Sequence, residues 1–156
     1  MMLFDEAIRK SAFMGVLCVP VGGLAGLWVA QFAVGDGYFV FVIAAPVAAF
    51  LSGTLSWWLF VVRPRRSSWF RGALAGSFAA VLGHLLCWYI LLVGAYVWHS
   101  LSGEAVAVGS APMNPMEAIT AAGIYGAFSL LLIGWVTVPA GAMLGVLLSF
   151  MKKRSA

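Results

Sequence analysis

No Lys or Arg occurs between Lys10 and Arg63, or between Arg71 and Lys152, and those gaps hold nearly all of the chain's apolar residues. A stretch without cations that is this long and this apolar cannot fold as a soluble domain, whose surface needs charge. The remaining composition agrees: 63% of the 156 residues are hydrophobic and 9% charged, and the mean hydropathy is +1.03. A helix needs about 20 apolar residues to cross a hydrocarbon core of roughly 30 Å. Four segments meet that length, at about 11–34, 38–62, 72–97 and 119–151. Lipid-exposed open strands are excluded because unpaired backbone groups are too costly in hydrocarbon. The expectation is an all-α integral membrane protein: one membrane domain over 1–156, folded as a compact four-helix bundle, with a loop at about 98–118.

The first segment is too long for the h-region of a secretory signal and no A-x-A site follows it, so it reads as a retained helix. An even number of spans puts both termini and the 63–71 loop on one side. All nine Lys and Arg then share that side, while Asp36, Glu104 and Glu117 share the other. Cationic loops stay in the cytoplasm, so both termini are expected there, and the short Ala/Gly-rich chain suggests a bacterial inner membrane. Trp57, Trp58, Trp69 and Phe70 flank the basic loop and Tyr38, Tyr96 and Trp98 the opposite boundary, as interfacial belts do. Arg63, Arg65, Arg66, Arg71, Lys152, Lys153 and Arg154 read as topology anchors that meet anionic lipid headgroups. The pI near 9.4 therefore requires no nucleic acid.

A motif recurs between the first and fourth segments. Gly15-x-x-x-Val19-Pro20-x-Gly22-x-x-x-Gly26 matches Gly134-x-x-x-Val138-Pro139-x-Gly141-x-x-x-Gly145, residue for residue at the same spacing. The second segment carries a shorter form, Pro46-x-Ala48-x-x-x-Ser52. Small residues four apart let helix backbones approach closely in lipid, and each proline removes one hydrogen bond and predicts a kink in helices 1, 2 and 4. Because helices 1 and 4 run in opposite directions, their shared motif is an inverted copy, an arrangement transporters use around a midplane substrate. The third segment has Gly72, Gly76, Ala79, Ala80 and Gly83 at related spacings. Small faces on all four helices exceed what one bundle uses, and this surplus predicts a membrane partner or a second copy of the chain.

No Asp, Glu, Lys or Arg is embedded in a helix, which argues against ion coupling by carboxylates. His84 is the titratable exception, with Cys87 three residues on and on the same side of the helix. One His and one Cys make half a metal site at best, and a bis-His haem would need a second imidazole at the same depth. His99 is too far along the helix to supply it. Cys18 and Cys87 lack redox or metal spacing and read as buried small hydrophobes. The embedded hydroxyls, among them Ser52, Thr54, Ser56, Ser77, Ser129, Thr137 and Ser149, read as bonding helix carbonyls. No cofactor and no catalytic residue is expected. The leading expectation is a non-enzymatic protein that acts through helix contacts with a membrane partner, as an accessory, assembly or immunity-type factor. The alternative is a small oligomeric transporter or channel with a midplane site near the proline kinks and His84.

Overall fold

In a computed structural model of the chain, residues 2–33, 37–64, 68–103 and 112–154 are described. The helices are α1 (Met2–Phe32), α2 (Phe41–Trp57), α3 (Trp69–Ser102) and α4 (Pro115–Arg154). A 3₁₀ turn at Tyr38–Val40 leads into α2 and a π turn at Trp58–Val62 leaves it. Among the described residues there are no strands. Four spans, Ala7–Phe32, Tyr38–Val62, Trp69–Ser102 and Pro115–Met151, are long and apolar enough to cross a membrane. These suggest a membrane protein.

Consecutive helices pack antiparallel, and close backbone approach at glycine makes the contacts. A Cβ added at Gly22 would lie 2.7 Å from both the Ala45 carbonyl oxygen and the Ala49 Cβ, and one at Gly26 would collide with the Phe41 carbonyl. Gly15 sits likewise against Phe50 and Thr54. One face of α1 is thereby spent on α2. On the other side, Gly72 and Gly76 of α3 meet the backbone of Gly145 and Gly141 of α4. α2 turns Ala48 and Ser52, both almost fully buried, toward α3: Ala48 clusters with Cys87 and Ser52 lies against Gly83. α1 and α4, the two ends of this series, touch each other only lightly. Met14, Trp57, Val61, Ala75 and Leu148 join all four helices at the basic end.

Several boundaries differ from those read in the sequence. α3 runs on to Ser102, where Gly103 takes a positive φ of 69° and ends it. α4 begins at Pro115, so the loop expected at about 98–118 is shorter and Glu117 is not a loop carboxylate. Asn114 Oδ1 accepts from the backbone N–H of Met116 and Glu117, both at 3.0 Å, and Glu117 Oε2 accepts from Asn114 N–H at 3.2 Å. That is a reciprocal cap with proline in the first turn, worth about 1 kcal/mol to the helix. The helical assignment continues through Pro20, Pro46 and Pro139. Trp57 belongs to the core, at 4% exposure, and so leaves the aromatic belt, whereas Trp69, Phe70 and Trp98 are exposed.

Two of the cations between α2 and α3 make structural contacts. The π turn sets Arg63 N–H on the Trp58 carbonyl at 2.8 Å, and the Arg63 guanidinium lies 5.8 Å from the Trp58 ring centroid. Arg71 Nη1 donates to the Phe60 carbonyl at 3.2 Å, tying the end of α2 to the start of α3. Ser68 caps α3 by accepting from Arg71 N–H at 3.2 Å. Arg65, Arg66, Asp36 and Glu104 lie outside the described residues, and only the helical backbone of Lys152, Lys153 and Arg154 is described.

Candidate functional site at mid-bundle

Where α1 and α4 fail to close on each other, the bundle holds a cavity of about 90 Å³ with walls from all four helices. It lies half-way along α3, whose His84 and Cys87 both face it. Its α4 wall includes Thr137, Gly141 and Leu144, and its α1 wall includes Cys18, Gly22 and Ala25. These two triplets occupy the same three positions in the two copies of the motif. The antiparallel copies therefore face one cavity from opposite sides. The prolines take no part: none of the three lines it, and Pro20 and Pro139 are exposed on the outer surface. The residues Val16 and Trp135, whose carbonyls those prolines would free, are exposed as well.

His84 is held from both ends of its ring. Nδ1 lies 2.6 Å from Ser129 Oγ and Nε2 2.9 Å from Thr137 Oγ1, both on α4. Ser129 and Thr137 are two helical turns apart, so the imidazole bridges them. Thr137 Oγ1 also lies 3.4 Å from the Ile133 carbonyl, and in either neutral tautomer one ring nitrogen of His84 donates to a hydroxyl while the other accepts from one. A neutral imidazole has one donor and one acceptor, and this arrangement uses both. Neither nitrogen is open to ligate a metal without giving up one of these bonds. Among the described residues no group of three His, Cys, Asp or Glu comes together.

Of the other embedded hydroxyls, Ser52 donates to Ala49 and Ser149 to Gly145 within their own helices. Ser129 and Thr137 differ in having a side chain of another helix as a partner, which Thr137 combines with the local bond to Ile133.

Trp88, one turn beyond His84 on α3, also lines the cavity. Its ring packs edge-on to Phe41, centroids 5.1 Å apart at 79°, and against Tyr125 at 4.9 Å and 37°. Its indole Nε1 is buried and has no hydrogen-bond partner. An orphaned buried donor costs roughly 1–3 kcal/mol, and the flanking rings fix it in place. Sequence reading passed Trp88 over. The signal was its position: a tryptophan in mid-span, away from the boundaries where belts form, and i+4 to the embedded histidine.

Gly15 and Gly26 meet α2 and Gly145 meets α3, while the groups nearest Gly134 belong to Leu130 of its own helix. Open small positions remain at Gly23, Gly94 and Gly123, where an added Cβ would meet nothing within 4 Å. Comparison of the chain with protein-family models, with curated proteins and with solved structures returns no match.

Proposed function

We propose that the protein is a small-solute carrier of the bacterial inner membrane with both termini cytoplasmic, binding an uncharged solute at mid-depth beside His84. The observation that carries this reading is the pairing of Thr137, Gly141 and Leu144 with Cys18, Gly22 and Ala25 across one cavity. Inverted elements facing a shared central site are an arrangement that many alternating-access carriers use. The cavity has no Asp, Glu, Lys or Arg in its lining, so a charged solute would lose its hydration without a counter-ion.

The topology rests on the cations, which fall only at 9–10, 63–71 and 152–154, the segments that an even number of spans brings to one side. Alkaline phosphatase fused at Gly103 should be active and one fused after Arg154 inactive, and the opposite pattern would reverse the orientation.

Carriage is tested by countertransport, because a passive leak does not respond to solute on the far side. In proteoliposomes, entry of labelled acetamide, an uncharged solute small enough for a cavity of about 90 Å³, should accelerate several-fold when unlabelled acetamide is preloaded. Vesicles without protein should show no acceleration. Its absence from the protein-containing vesicles too would remove the carrier reading.

A second reading, contact with a membrane partner or a second copy, draws its support from the open positions Gly23, Gly94 and Gly123. The glycines that first suggested it, Gly22, Gly26, Gly141 and Gly145, are engaged inside the bundle.

A further inference from the structure

We infer that Gly83 sets the size limit of the cavity and restricts it to uncharged molecules of about four heavy atoms. The inference deepens the carrier reading by naming the size class of its solute, and it rests on that reading only for the location of the site.

Among the described residues, the glycines that line the cavity are Gly22, Gly26, Gly76, Gly83 and Gly141. All but Gly83 are used for close helix approach. A Cβ at Gly22 or Gly26 would meet the backbone of α2, one at Gly76 the backbone of α4, and one at Gly141 the backbone of α3. At Gly83 the nearest atom to an added Cβ is Ser52 Oγ at 3.2 Å, and nothing else beyond its own stretch of helix lies within 4 Å. Ser52 is itself on the cavity wall, so the space in front of Gly83 belongs to the cavity. Glycine in a helix interior costs stability relative to alanine. Elsewhere in the lining the contact of two backbones offsets that cost, but at Gly83 no such contact is made. What the missing side chain leaves is volume inside the site, the trade of stability for function expected where a ligand must fit. The volume sets the scale: an apolar cavity of about 150 Å³ holds benzene, with its six carbons. In proportion, this cavity of about 90 Å³ holds about four heavy atoms. A methyl group at position 83 takes the place of one of them.

The experiment titrates formamide, acetamide and butyramide, amides of increasing length, into the detergent-solubilised full chain and its Gly83→Ala variant. The reporter is the ring C–H resonance of His84, which lines the cavity and is one of 2 histidines in the chain. In wild type it should move with formamide and acetamide and stay still with butyramide. In Gly83→Ala it should respond to formamide as before, while acetamide binds about tenfold more weakly, the effect of one methyl group too many. The variant should also unfold at a higher SDS concentration than wild type, because alanine favours the helix and its methyl enters open space. A glycine that served packing alone would lose stability on this substitution. An unchanged acetamide response in Gly83→Ala, or a variant less stable than wild type, would overturn the role of Gly83. A wild-type response to butyramide equal to that to acetamide would overturn the size limit. No response to any of the amides would overturn occupancy and the size limit with it, whereas countertransport failure beside an intact titration would remove carriage and leave the role of Gly83 standing.

Discussion

Gly76→Ala is expected to destabilise the bundle by about 1–3 kcal/mol, the range for forcing extra volume into a packed interface. The added methyl would collide with the carbonyl of Gly141, whose own position is fixed by the facing backbone of Gly76. Neither obstacle is the tip of a flexible side chain, so relief requires α3 and α4 to move apart, opening the Gly72–Gly145 approach with it. Helix propensity pushes the other way, since alanine is better than glycine in a helix interior by about 1 kcal/mol. The sign of the effect therefore reports the packing. Gly123→Ala, with open space around its Cβ, is the matched control and should be neutral or slightly stabilising. Unfolding in a titration of SDS into mild detergent, followed by circular dichroism, gives both values. Equal effects from the two substitutions would show that α3 and α4 do not meet as described.

The second large effect is expected from His84→Ala, which removes both side-chain bonds between α3 and α4 near mid-span. Bonds between membrane helices average about 0.6 kcal/mol and reach about 1.7, so the pair should be worth about 1–3 kcal/mol. A double-mutant cycle with Thr137→Val isolates one of them. The expected coupling is about 0.5–1.5 kcal/mol, and a coupling near zero would mean that Nε2 and Thr137 do not bond. His84→Gln should recover part of the loss, because an amide can both donate and accept, although it spans less than an imidazole. These are effects on folding, and they bear on the site because His84 is what fixes the α4 wall against α3.

The sequence and the fold divide the chain differently. Span number and approximate limits were legible because hydrophobic length is a local property of the chain; Tyr38–Val62 is recovered within the expected limits. The start of α4 is marked by Asn114-Pro115-x-Glu117, a capping pattern that precedes the apolar run beginning at about 119. In the motif copies Gly15, Gly22 and Gly26 lie against α2 and Gly141 and Gly145 against α3, whereas Gly134 meets only Leu130 of its own helix. Trp57 and Trp88 show a further limit. Both are tryptophans in apolar runs, yet one fills the core at the basic end and the other lines the cavity.

From sequence alone the chain is determined to be helical, with four segments of membrane-spanning length, all cations at one end of them, and little ionisable chemistry between. Which way each helix faces was decided only by the tertiary structure. These helices are apolar nearly all round, so no polar stripe marks an outer surface, and hydrophobicity cannot orient one helix against another in an apolar surrounding. Steric fit does so instead. Glycine faces bring α1 onto α2 and α3 onto α4, leave α1 and α4 apart, and so bring His84, Trp88 and the two copies of one motif to the walls of a single cavity.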